Sequence, residues 1–190
     1  MTALVRIPFE ETLLPKVQSF ECGAEIWQAE VADWIKKPRG AGGAIDDTEN
    51  GGLQVWLYAT AEGDLVGYGS FGEGMQRWPG TKDPPIAVSV IPWMGVDRKF
   101  WGQPPGVTWQ DRYSTQILRN LIGEAMKVKD SRPILKLVVF EGNAAAIKLY
   151  ERVGFKEFHK PRKDAASGLV YKRMAMHLVA GDGGASLERS

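Results

Sequence analysis

Apolar residues recur along the chain with two periods, and the order in which those periods alternate sets the fold class. Residues 3–7 (ALVRI) read as a strand, and over 24–36 (AEIWQAEVADWIK) Ile26, Val31, Trp34 and Ile35 fall at helical spacings. LQVWLYA (53–59) and LVGYGSF (65–71) flank the turn-prone Ala61-Glu62-Gly63-Asp64, which predicts an antiparallel hairpin. Residues 86–96 (IAVSVIPWMGV) form a long apolar strand that must bulge or bend at Pro92, because proline has no N–H for a ladder. Next, Ser114 or Thr115 is placed to cap a helix whose Ile117, Leu118, Leu121, Ile122, Ala125 and Met126 make one apolar stripe. ILKLVVF (134–140) is apolar apart from Lys136, as a central strand would be. A short helix over 144–152 closed by Gly154, and strands near 155–159 and 169–178, complete the pattern.

The resulting order, β, α, β, β, β, α, β, α, β, β, predicts a mixed sheet with crossover helices, an α+β (α/β layered) fold. Two Gly- and Pro-rich stretches, 38–52 and 72–85, read as loops within one domain spanning 1–179, and the small, polar residues 180–190 read as a flexible tail. Composition adds little. With 190 residues, 44% hydrophobic and 25% charged, the chain matches one ordinary globular domain rather than a disordered or coiled-coil protein. A net charge of +1 supplies no long-range field to attract nucleic acid or a membrane. The lone Cys22 excludes an internal disulfide, and His159 and His177 lack metal-ligand spacing, so no metal is expected. Arg6, Glu10 and Glu11 interrupt the apolar N-terminus, which therefore lacks a signal-peptide core, and no run approaches the ~18 apolar residues of a membrane span. A cytoplasmic protein without membrane association is expected.

The most specific segment is LKLVVFEGNAAAIKLYERVGF (135–155). Asn143 is a good helix N-cap, and Tyr150, seven residues on, is two turns away on the same side, so both side chains can face one cleft. The segment closely resembles the C-terminal motif of GNAT-family N-acetyltransferases, an apolar strand followed by Asn-x-x-Ala-x-x-x-Tyr-Glu-x-x-Gly-Phe. A second stretch, Val96-Asp97-Arg98-Lys99-Phe100-Trp101-Gly102-Gln103, resembles the family's entry into its glycine-rich phosphate loop. Together the similarities cover residues 86–178 well and the first half loosely. They imply a single GNAT-like domain with a mixed, mostly antiparallel sheet, splayed near Pro92–Val96, and helices on both faces. They further imply acetyl-CoA bound by the backbone of Met94, Gly95 and Val96, by Trp101, Gly102, Gln103, Arg112, Tyr113 and Ser114, and by Asn143 and Ala146.

The phosphate loop departs from the family pattern. Where relatives run Arg/Gln-x-x-Gly-x-Gly/Ala straight into the helix, this chain reads Trp101-Gly-Gln-Pro-Pro-Gly106 and then Val107 to Ser114. Counting from Trp101 puts Pro104 and Gly106 at the glycine positions; counting back from Ile117 and Leu118 puts Arg112 and Ser114 there. The second register is preferred, because a helix N-terminus supplies an anion site and a guanidinium grips phosphate with two N–H groups. Loss of cofactor binding would instead leave a non-catalytic acyl-CoA-binding or partner-binding module.

Acetyl transfer to a primary amine of a small molecule or peptide needs a deprotonated amine, a polarised carbonyl and a proton for the leaving thiolate. By resemblance Tyr150 is the general acid, and a backbone N–H between Met94 and Val96 polarises the carbonyl. The base is open among Glu141, Asp97 and a water chain through Ser89. Trp78 and Trp93 are candidates for holding the acceptor, together with Trp101 and Trp109. Cys22 has no histidine in any recognisable relation to it and reads as structural. Phe20-Glu21-Cys22-Gly23 and Asp33-Trp34-Ile35-Lys36 also resemble, with a longer spacer, the opening of the toxin branch that acetylates aminoacyl-tRNA. A tRNA partner is the less favoured alternative, given the low charge, and the resemblance admits a homodimer.

Overall fold

The computed structural model describes residues 3–77, 82–104, 107–165 and 167–178. A nine-stranded sheet runs through the molecule: β1 (Val5–Pro8), β2 (Gln54–Ala59), β3 (Leu65–Gln76), β4 (Ile86–Ile91), β5 (Met94–Val96), β6 (Ile134–Phe140), β7 (Lys156–Glu157), β8 (Arg162–Lys163) and β9 (Val170–His177). Its spatial order is β1-β2-β3-β4-β6-β9-β7, with β5 attached to β3 and β8 to β9. Every pairing is antiparallel except β4 with β6. That exception follows from the connection: the chain between β4 and β6 carries α4 (Tyr113–Lys127), and a crossover of that length returns a parallel strand.

Helices cover both faces, as the alternation of periods predicts. On one face α4 and α5 (Ala144–Arg152) bury Ile117, Leu118, Leu121 and Tyr150 against Leu135, Leu137 and Val139 of β6. On the other, α1 (Leu14–Val17), α2 (Ile26–Lys36) and α3 (Ala44–Gly51) bury Val17, Trp34, Ile35 and Ile45 against Val55, Leu57 and Tyr68. β6 thus alternates: its odd residues face α4 and α5, while Lys136, Val138 and Phe140 face the side of α2.

Three expectations are corrected. The 72–85 stretch is not all loop, because β3 continues to Gln76 and pairs Gly72 to Gln76 with Val90 to Ile86. Its glycines answer to packing rather than to turning: a Cβ at Gly72 would lie 2.3 Å from Leu53 Cδ2, and one at Gly74 2.9 Å from Val90 Cγ1. The 38–52 stretch contains α3, held by two features that periodicity does not register. Asp46 accepts hydrogen bonds from the N–H groups of Gly40 and Gly42, both at 2.7 Å, and Gly52, at φ 66°, closes the helix in the left-handed conformation. Finally, α4 begins earlier than its apolar stripe suggests, with Arg112 at its N-cap instead of Ser114 or Thr115.

Several acidic hydrogens are locked inside this core. Desolvation by burial raises the Cys22 thiol from 9.0 to about 12 and the Tyr150 phenol from 10.0 to about 12, and it also raises Tyr58 and Tyr68. Each native pKa lies above its unfolded value, so the folded state holds more protons between pH 9 and 12. The stability these groups supply is complete below about pH 9 and is lost as the pH climbs toward 12, at about 1.4 kcal/mol per unit for each group. Thermal unfolding followed across that range is expected to show a steepening fall in midpoint above pH 9; a flat profile would contradict the burial of these groups.

Candidate active site

β4 is hydrogen-bonded to β6 as far as Ile91 opposite Leu137, and beyond that point the two strands part. The chain after Pro92 stays with β3, where Met94, Gly95 and Val96 lie opposite Gly69, Tyr68 and Gly67, while β6 continues along β9 to Phe140. The cause is local. Pro92 has no N–H, and the buried Ser70 takes over the pairing: its Oγ accepts from Trp93 N at 2.9 Å, and its own N–H donates to Trp93 O at 2.8 Å. Hydrogen-bonded pairs at Ser70–Trp93 and Val66–Asp97 turn the main-chain groups of Met94 and Val96 away from β3, toward the gap. The Val96 carbonyl is taken by Trp101 Nε1 at 3.0 Å and its N–H by the Cys22 sulfur, which leaves the main-chain groups of Met94 on the open edge.

The gap opens into a cleft of about 1220 Å³ that passes from the α4–α5 side of the sheet to the α2 side. It is lined by Met94, Gly95, Val96, Trp101, Gly102, Gln103, Arg112, Ser114, Asn143, Ala146, Tyr150 and Trp93, all singled out in the sequence. Tyr113 and Glu141 are not brought to it. Tyr113 is buried beneath the loop, edge-to-face with Phe100 at 5.9 Å, and Glu141 is exposed elsewhere, its N–H donating to Val170 O. Trp78 and Gly106 lie outside the described residues.

Of the other base candidates, Asp97 is buried and accepts from Lys99 N at 3.1 Å and Glu21 N at 3.3 Å, which makes it a turn residue. Ser89 is wholly buried within β4, away from the cleft. Cys22 does line the cleft, but its raised pKa keeps it a thiol and a poor nucleophile.

The second register of the phosphate loop reaches the site through Arg112 and Ser114; in the first, Pro104 does not line the cleft and Gly106 lies outside the described residues. Tyr113 N–H donates to Gln103 O at 3.1 Å, setting the strand end beside the start of α4. Just before α4, Trp109–Asp111 form a short helical turn, with Thr115 Oγ1 donating to Trp109 O at 2.6 Å. The guanidinium of Arg152, from the end of α5, lies 5.6 Å from the Trp109 ring and closes that wall. The start of α4 therefore brings Arg112 and Ser114 to the cleft wall, placing a guanidinium and a helix N-terminus there, both attractive to an anion.

On the α2 side, residues that the sequence reading passed over form the wall. Trp27 stacks on Phe140 at 5.4 Å, Tyr171 meets Phe140 edge-on at 6.1 Å, and Tyr171 Oη lies 3.5 Å from Glu30. Desolvation, then the negative charge of Glu30, raises the Tyr171 phenol. Glu30 and Asp164 are the carboxylates of the cleft among the described residues, and Asp164 accepts from Ser167 N and Oγ, both at 2.7 Å. The available signals were weak: Trp27 and Glu30 at i, i+3 on α2, and Tyr171 and Arg173 two apart on β9. Among the described residues no group of His, Cys, Asp and Glu comes together as a metal site, and no helix is long and apolar enough to cross a membrane.

A sheet splayed at a proline, the main-chain groups of Met94 on the open edge, and a cationic helix start at one end fit the class of acyl-CoA-dependent acyltransferases. The family model of the acetyltransferase (GNAT) family matches residues 22–155, and the chain belongs to that family. It is an N-acetyltransferase with acetyl-CoA as co-substrate. No curated protein matches the sequence at a significant level. Among solved structures it is similar to a bacterial toxin (16% identity, TM-score 0.66, 94% of this chain and 92% of that one). It is also similar to a mutant of the AtaT toxin bound to the C-terminus of the antitoxin AtaR and acetyl-CoA (12%, TM-score 0.62, 92% and 93%). A third is the ribosomal-protein-S18-alanine N-acetyltransferase from Escherichia coli (20%, TM-score 0.55, 96% and 99%). At these identities the likeness is one of fold.

Proposed function

We propose that this chain transfers the acetyl group of acetyl-CoA directly to a primary amine of a small molecule or peptide, with Tyr150 as general acid and Glu30 as the base. The observation that carries the reading is the gap itself, which joins a phosphate-binding end to an aromatic, carboxylate-bearing end through the sheet. The thioester supplies an activated acetyl group with a thiolate as its leaving group. The N–H of Met94, on the open edge of β5, is the donor for the carbonyl oxygen, where charge develops. Glu30, carried on α2 beside Tyr171, takes the proton of the incoming ammonium, and Tyr150 holds a proton for the departing sulfur. Direct transfer is favoured over an acetylated cysteine because Cys22 is held protonated.

Calorimetry with acetyl-CoA, followed by thiol release across a panel of amines, tests the reading. No saturable binding at millimolar ligand would remove it. Arg112→Ala is expected to weaken coenzyme A binding by roughly ten- to a hundredfold, the loss of a charge-assisted phosphate contact, and the deficit should shrink in high salt. Unchanged affinity in that variant would shift the phosphate site to residues 101–103. Acetylation of aminoacyl-tRNA is the second reading, favoured by the position of Cys22, from the Phe-x-Cys-Gly segment, on the cleft wall. Unaffected protein synthesis in a cell-free reaction supplied with acetyl-CoA would dismiss it.

A further inference from the structure

The α2-side end of the cleft contains a cation that the transfer chemistry does not use. Arg173 lies on β9 directly across from Val138, a residue of the gap edge that is 56% exposed. Both line the cleft. The Nε of Arg173 is buried without a hydrogen-bond partner, and no ion pair engages this arginine among the described residues. The two carboxylates of the cleft among the described residues are occupied: Glu30 meets Tyr171 and Asp164 holds Ser167. Behind Arg173, two residues along β6 from Val138, Lys136 donates to Met75 O and Gln76 Oε1, both at 3.3 Å, and Gln76 Nε2 lies 3.5 Å from His159 Nε2. Desolvation and then the positive charge of Arg173 lower the proton affinity of both Lys136 and His159, so the guanidinium acts on both neighbours. A second guanidinium, Arg162 on β8, lines the same end opposite Tyr171.

An uncompensated, partly buried guanidinium fork costs stability unless something answers it, and its planar N–H pairs match an oxyanion. We propose that this corner is an oxyanion subsite centred on Arg173, so that the acceptor amine carries a phosphate or a carboxylate close to its nitrogen. The proposal rests on the acetyltransferase reading of the cleft and deepens it by naming the class of acceptor. Glu30 then meets the ammonium and Arg173 the anion, the two held at the same end of the cleft by α2 and β9.

The test is calorimetry on protein saturated with coenzyme A, so that the cofactor's own phosphate site is filled, titrated in separate arms with inorganic phosphate and with acetate. Saturable binding is expected in at least one arm, and the tighter arm identifies the anion. Arg173→Gln should weaken it roughly ten- to a hundredfold with coenzyme A affinity unchanged. Arg173→Lys, which keeps the charge but not the fork, should fall between and serves if the glutamine variant does not fold. No saturable binding of either anion, or equal binding in wild type and variants, overturns the proposal. Failure of coenzyme A to bind would instead overturn the transferase reading, and the difference between wild type and Arg173→Gln toward phosphate would still be read on the free protein.

Discussion

Tyr150→Phe is expected to lower kcat by about 10² to 10⁴-fold, with coenzyme A affinity nearly unchanged. The substitution removes one hydroxyl from a residue 7% exposed and keeps the ring, which packs edge-to-face on Phe155 at 5.9 Å, so the fold and the cleft wall stay in place. Burial holds the phenol at about 12, so it stays protonated through the neutral range and is a donor at every working pH. A donor so weak would ordinarily be mismatched to a thiolate near 8.5. The desolvation that raises the phenol acts in the same direction on a sulfur leaving beside it, which narrows the mismatch. The measurement is single-turnover thiol release beside calorimetric affinity. Equal turnover in the two proteins would exclude Tyr150 as the acid, and the wild-type rate should show no limb attributable to this residue below about pH 10.

Gly67→Ala is expected to remove coenzyme A binding and to cost about 1–3 kcal/mol of stability together. A Cβ at this position would sit 2.4 Å from the carbonyl oxygen of Gly95 and 2.9 Å from Ile117 Cδ1. Backbone cannot swing aside as a side chain does, so β5 must move, and β5 is the edge from which the main-chain groups of Met94 face the gap. Gly69→Ala is the informative comparison, since its Cβ would meet only the Leu121 side chain, at 2.8 Å. Loss of stability alone is expected there. Chemical denaturation and calorimetry on the pair separate the two effects, and retained cofactor affinity in Gly67→Ala would show that β5 does not position the ligand.

Much of this site is legible in the sequence, for local reasons. Asn143 caps α5 through Oδ1 to Ala146 N at 3.1 Å, and Tyr150 follows two turns later on the cleft side, because helix geometry converts sequence spacing into direction. Pro92 announces the splay because a missing N–H is a property of the residue itself. Glycine is less transparent. The same residue type that turns the chain at Gly52 admits close neighbours at Gly67, Gly69, Gly72 and Gly74, and only the packing distinguishes the cases. For that reason composition alone reads part of β3 and the whole of α3 as loop.

What the sequence by itself determined was the layered α+β order, the bend at Pro92 and the Asn143–Tyr150 face of α5, each set by interactions within a few residues. The tertiary structure alone decided that Ser70 replaces the ladder at Trp93, that Glu30 of α2 meets Tyr171 of β9, and that the Nε of Arg173 is buried beside the gap without a hydrogen-bond partner among the described residues. Those meetings join residues up to 141 positions apart, and they depend on strand register and helix packing, quantities that no short window of residues contains.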